Sequence, residues 1–202
     1  IGDNKVSAVR TIFMVNNLDL EINKKEALRY LRVANADSAT DALVDECICE
    51  IYKIASPKAS YLESEVELLE NDTVKFDFMT VKSHSLSESL KNCKRAIVFS
   101  ATLGIEVDRA IEKYSKFSQS KAAVYHAVGS AFIESFCDYV NKSLVEGLES
   151  TRRFSPGYGD LPLEAQRDVL RALDAERKIG IILSDSLLMS PSKSVTAIIG
   201  IK

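Results

Sequence analysis

The residues best suited to chemistry in this chain lie in one short segment, Arg152-Arg153-Phe154-Ser155-Pro156-Gly157-Tyr158-Gly159-Asp160. Pro156 stiffens the backbone there, and Gly157 lets it turn or lets a ligand approach closely. Arg153 offers a planar guanidinium fork whose donors match a carboxylate in bidentate contact. Tyr158 offers an aromatic face that attracts a cation, and a sulfonium is such a cation. Exposed loop backbone can hydrogen-bond the edge of a base. An amino-acid nucleoside carrying a sulfonium would use all of these groups. A plainer account fits the same residues: a tight loop in which Arg153 pairs with a surface acid and Tyr158 packs.

Other chemistries find little footing. There are two histidines, His84 and His126, and neither stands near Cys, Asp or Glu at metal-ligand spacing, so no metal site is expected. No Gly-x-Ser-x-Gly elbow, dinucleotide fingerprint or phosphate-binding lysine loop is present, and Gly157-Tyr158-Gly159 lacks the third glycine of the dinucleotide pattern. An Asp-x-His-x-x-Gly cobalamin-ligating pattern is also missing, so the chain is not expected to hold a corrinoid alone. No side chain is assigned as a catalyst. Cys47, Cys49, Cys93 and Cys137 form no Cys-x-x-Cys pair and read as small buried hydrophobes. A net charge of −3 removes the electrostatic footprint of a nucleic-acid binder, and the Lys91, Lys94, Arg95 group reads as a solvated helix end. No apolar run reaches membrane-spanning length and no signal-peptide pattern opens the chain, so neither nucleic acid nor membrane is expected as a partner and a cytoplasmic location is the default.

The loop must be positioned by the elements around it. Lys24 to Val33 reads as a short helix capped by Asn23, and Ser38 to Ala55 as a second helix closed by Ser56-Pro57. Ala59 to Leu69 and Val74 to Val81 alternate, with Asn71-Asp72 between them, which is the pattern of a β-hairpin. Ser85 to Asn92 reads as a serine-capped helix, Ala96 to Ala101 as a buried strand, and Glu106 to Tyr114 as a helix. A long helix from Ser118 to Glu149 carries the apolar stripe Val124, Val128, Ala131, Phe132, Phe136, Val140 and Leu144 and leads into the loop. Leu163 to Leu173 reads as a helix with Asp160 as its cap. Ile179 to Leu183 and Ser194 to Ile201 read as paired strands around Ser190-Pro191-Ser192-Lys193. The order points to an α+β fold: a mixed or antiparallel twisted sheet flanked by helices, with a long central helix before an extended ligand-binding loop. One domain is expected over residues 14–202, with Met14 a candidate start and residues 1–13 a vector remnant or flexible N-terminus.

The spacing Arg-x-x-x-Gly-Tyr at Arg153, Gly157 and Tyr158 resembles the AdoMet-binding motif of the reactivation domain of cobalamin-dependent methionine synthase. Three further segments in the same order are similar to that family: Val128-Gly129-Ser130-Ala131-Phe132-Ile133-Glu134 before the loop, Ile179-Gly180-Ile181-Ile182-Leu183-Ser184-Asp185-Ser186 after it, and then Met189-Ser190-Pro191-Ser192-Lys193-Ser194-Val195. Before Ala96 the resemblance is architectural only. The chain departs from the family where Gly159-Asp160-Leu161 replaces Pro-Ala-Cys and where the family's late tyrosine falls at about Ile199. The N-terminal acidic residue in a Trp-rich setting has no counterpart, since the chain holds no Trp.

The resemblance implies a stand-alone accessory protein of a methyltransferase. It would bind S-adenosylmethionine through Arg153, Pro156, Gly157, Tyr158 and Glu134. Arg153 would clamp the carboxylate, Tyr158 and the loop backbone would shape the pocket, and Glu134 would order the loop or touch the ligand. The cobalamin would sit on a partner, a methionine synthase, with flavodoxin or ferredoxin as electron donor, and the outcome would be reductive methylation of oxidised cob(II)alamin. Two alternatives stay open: service to another corrinoid methyltransferase, and a binding or regulatory module that kept the fold without the ligand.

Overall fold

The computed structural model describes residues 8–13 and 20–202; Met14 and residues 1–7 lie outside that description. An antiparallel sheet divides two helical layers. Its main path runs β4 (Thr80–Lys82), β3 (Thr73–Phe76), β2 (Lys58–Leu69), β5 (Arg95–Thr102), β8 (Ser194–Ile201). The first strand, β1 (Arg10–Phe13), pairs with the start of β2, Arg10 opposite Tyr61. These residues, assigned from sequence to a remnant or flexible tail, are therefore part of the sheet.

Strand β5 explains the unbroken run Ala-Ile-Val-Phe-Ser-Ala. Ile97, Phe99 and Ala101 enter one core with α1 (Lys24–Tyr30), α2 (Ser38–Ile54), α4 (Ile105–Ser115) and α5 (Gln119–Val145). Ala96 and Val98 enter a second core with α3 (His84–Ser89), α6 (Ala165–Ala172) and α7 (Ala175–Ile179). A central strand covered on both faces has no polar side to alternate with. Edge strand β8 does the same, sending Ala197, Ile199 and Ile201 under α5 and Ile198 toward α6.

Helix starts follow the expected caps. Asn23 accepts from the N–H groups of Lys25 and Glu26, Ser83 from that of Leu86, and Ser118 from that of Lys121. Several boundaries differ. The hairpin's second strand breaks at Asp77-Phe78-Met79, where Phe76 N–H turns back to the Met79 carbonyl. Ile179 closes α7, with Gly180 at φ +77 as its C-cap, so that only Ile182–Leu183 is extended, as β6. That strand pairs with β7 (Met189–Ser190) in a small separate hairpin, and the expected pairing with residues 194–201 does not occur. Cys49 is exposed on α2 while Cys47, Cys93 and Cys137 are buried, which corrects the uniform reading of the four thiols. Residues two apart on a helix face different sides.

Asp160 does not cap α6, whose N-cap position is Glu164 with no side-chain bond. Its carboxylate instead caps α3, accepting the Ser83 hydroxyl at 2.6 Å and the N–H groups of His84 at 2.8 Å and Ser85 at 3.0 Å. Three donors sharpen its acidity, so Asp160 lies well below the usual carboxylate range, the Ser83 hydroxyl contributing most.

Candidate functional site

The loop after α5 first runs along the free edge of β8. Phe154 exchanges both main-chain bonds with Ile198, at 2.9 and 2.7 Å, and Thr151 N–H donates to the Gly200 carbonyl. Main-chain groups on a strand point alternately to its two sides. Since Ile198 and Gly200 face outward, Ser194 and Thr196 do too, and no loop strand covers them. The chain leaves the edge at Ser155-Pro156 and makes a compact double turn. Tyr158 N–H donates to the Ser155 carbonyl, and Gly157 N–H to the Leu161 carbonyl. Gly157 stands at φ +89, where a side chain is strained, and Leu161 is buried as the anchor of the turn.

Beside the uncovered edge lies a cavity of about 330 Å³ lined in part by Glu134, Arg153, Ser155, Pro156 and Tyr158. Four of the five residues proposed from sequence thus meet at one cavity: Glu134, Arg153, Pro156 and Tyr158. Gly157 shapes the turn and does not line the wall. The far wall comes from Gln166 on α6, Met189 on β7 and residues 194–197 of β8. Met189 and Ser194 fell inside a segment matched by its spacing, yet nothing in that match marked them as lining residues. Gln166 had no sequence signal at all, because α6 reads as an ordinary amphipathic helix.

Arg153 is held from below by α5. Its Nη2 donates to Glu134 at 3.3 Å and to Asp138 at 2.8 Å. The two acids stand four apart, on one face of the helix. Nη1 is buried with no oxygen acceptor, and the guanidinium also reaches the buried Cys137 thiol. A guanidinium at a cavity wall is a ready partner for a ligand carboxylate. Glu134 lines the cavity itself and offers its carboxylate to a cationic group of a ligand. Tyr158 is 67% exposed with its ring open to a ligand. Tyr30, at the end of α1, is a further neighbour that the sequence did not reveal. Partial burial raises its phenol, and the nearby Glu134 and Tyr158 add to the rise.

Ile199, the position of the family's late tyrosine, is fully buried under α5 opposite Ile97 and does not line the cavity. A guanidinium donor, a carboxylate acceptor, an aromatic face and an unpaired strand edge suit a ligand that carries an amino-acid group, a cationic centre and a base.

Fold and site together define an α+β domain in which a long helix and a glycine-tyrosine loop enclose a cavity at a sheet edge. This is the fold of the MetH reactivation domain: a solved structure of that domain bound to AdoHcy superposes with a TM-score of 0.73 at 14% identity, over 96% of this chain and 78% of that one. No protein-family model and no curated protein matches the sequence.

Proposed function

We propose that this protein binds S-adenosylmethionine in the cavity at the β8 edge and supports reductive methylation of oxidised cob(II)alamin held by a partner methionine synthase. The observation that carries the reading is the Arg153 guanidinium at the wall of a cavity that it shares with Glu134 and Tyr158. Arg153 would take the ligand carboxylate, while Glu134, half-exposed, would take its ammonium group. The Tyr158 face would lie against the sulfonium, and the strand edge with the loop backbone would receive the base. When bound, AdoMet supplies the methyl group, and a partner's corrinoid accepts it with one electron from flavodoxin or ferredoxin. The chain's own contribution is position and electrostatics, not a covalent or acid–base step. The open cavity mouth suits a ligand that must be presented to a second protein. A corrinoid methyltransferase other than methionine synthase would be served by the same geometry.

One observation favours a second reading, a regulatory module that kept the fold without AdoMet: Nη2 of Arg153 is already engaged by two acids. Calorimetric titration separates the two. AdoMet should bind the purified protein, and Arg153→Ala should weaken it at least about tenfold, or 1.4 kcal/mol. Absence of both heat and thermal shift at millimolar AdoMet would sink an autonomous AdoMet site and leave the regulatory reading.

A further inference from the structure

The polar groups at this cavity approach the sheet edge from both faces. Glu134 and Arg153 come from the α5 side, and Gln166 comes from the α6 side. Gln166 is only 5% exposed, yet its hydrogen bonds are slack. Its amide nitrogen reaches the Leu187 carbonyl at 3.4 Å, and its amide oxygen meets the Thr196 hydroxyl at 3.5 Å. Both lie at the outer limit of a hydrogen bond. Buried carboxamides in folded proteins are normally well paired, so this one has capacity to spare.

Its orientation is nonetheless defined. The Leu187 carbonyl can only accept, so it must face the NH2 group, and the amide oxygen then faces Thr196. That leaves one N–H donor and one oxygen lone pair on the same carboxamide. A donor and an acceptor in that arrangement match the amino group and adjacent ring nitrogen of a 6-aminopurine, the pairing by which glutamine reads adenine elsewhere. On the edge that holds N7, a 6-oxopurine presents O6 and N7, both acceptors, and leaves the amide oxygen unsatisfied.

We infer that Gln166 is the base-reading residue of this site and selects a 6-aminopurine nucleoside, with the charged end of the ligand at Arg153 and its base at α6. The inference rests on the proposed AdoMet reading and adds its base specificity. It also gives Thr196 a part, since its hydroxyl supports the amide oxygen while its outward main-chain groups border the base.

The test is titration of the protein with AdoHcy and with S-inosylhomocysteine, which differ at the base alone. The wild-type chain should prefer AdoHcy by about tenfold. Gln166→Leu should bring the two affinities together, chiefly by weakening AdoHcy, whereas Gln166→Asn should keep part of the preference. Equal affinities in the wild-type chain would overturn the inference without any variant. So would a preference that survives in a folded Gln166→Leu protein. AdoHcy binding that is lost in Arg153→Ala but indifferent to the base would remove base reading by Gln166 and leave the AdoMet reading standing. Absence of binding by either nucleoside would overturn both.

Discussion

The Asp160 carboxylate accepts the Ser83 hydroxyl at 2.6 Å across 77 residues of sequence, and this bond ties the ligand loop to the start of α3. Gly159 makes the approach feasible: a Cβ there would lie 2.6 Å from the Ser85 hydroxyl oxygen, and φ is +55. Gly159-Asp160 is therefore a clamp between the loop and α3.

Removing that clamp should free Tyr158, one wall of the cavity, and leave Glu134 and Arg153 in place. Asp160→Ala should lower the melting temperature and weaken AdoMet, while Asp160→Asn should fall between it and wild type. Asp160 lies below its unfolded acidity, so its contribution is fully present above the ordinary carboxylate range and is lost as pH falls through it. Melting curves of wild type and Asp160→Ala should accordingly converge in acid. Curves that stay parallel to the lowest pH at which the protein is folded would contradict the clamp.

Glu134 and Arg153 should act on the amino-acid end of the ligand and not on its nucleoside. Methylthioadenosine lacks that end. The preference for AdoMet over methylthioadenosine should shrink about tenfold in Arg153→Ala and in Glu134→Gln, the scale of one charge-assisted hydrogen bond. Competition binding measures the ratio. An equal loss of both ligands would instead indicate a collapsed cavity.

The parts of this molecule that were legible in its sequence are those with strong periodicity or local chemistry. The α5 stripe, the Asn23 cap and the glycine–proline loop read directly from sequence, and the family resemblance drew Arg153, Tyr158 and Glu134 together. What escaped depends on contacts far apart in sequence. Asp160 looked like a cap for the next helix because it precedes α6, but the donors that claimed it are 75 to 77 residues earlier. Gln166 is one of several polar residues on an amphipathic helix and Thr196 a polar residue in an apolar strand, and neither element's pattern says that they face a cavity. Ile182 and Leu183 read as part of a longer strand, whereas Gly180 in the left-handed region first ends a helix.

Lys121 should be the main electrostatic fastening of the helical layer. It donates to Glu46 at 2.7 Å and Glu50 at 2.8 Å, and it lies 4.4 Å from the centre of the Tyr114 ring, so that α2, α4 and α5 meet on one ammonium group. Glu46 is exposed and contributes little, but Glu50 is sheltered and also accepts the Tyr114 hydroxyl. Lys121→Met should lower stability by roughly 1–3 kcal/mol, less than a fully buried pair would cost. The pairing with Glu46 and then Glu50 raises the ammonium above its ordinary value, so its contribution holds at neutral pH and is lost only in strong alkali. Urea unfolding at pH 7 measures the loss. A change below about 0.5 kcal/mol, typical of surface substitutions, would show the network to be incidental.

Lys193 should work in the opposite sense. Its side chain is buried against Gly129, where a Cβ would sit 3.2 Å from its Cε, and its ammonium group donates to the Ser130 hydroxyl at 2.9 Å. His126 lies close enough for the Lys193 charge to lower it, after burial, and Asp108, the neighbouring carboxylate, is occupied by the Ser192 N–H and hydroxyl. Burial brings Lys193 down to about 8, with Asp108 opposing the fall. A lysine that is less basic folded than unfolded binds fewer protons in the folded state, so stability rises with pH between about 8 and the unfolded value of 10.5. Below pH 8 the buried charge costs the fold on the order of 3 kcal/mol. Lys193→Met should relieve that cost, making the variant more stable than wild type at pH 7 with the difference shrinking toward pH 10. Buried Cys47, pushed up to about 11, and Cys137, pushed up to about 12, oppose the trend in both proteins and cancel in the comparison. Urea midpoints at pH 7 and pH 9.5 provide the test. A variant less stable than wild type at pH 7 would mean that the bond to Ser130 outweighs the cost of burying the charge.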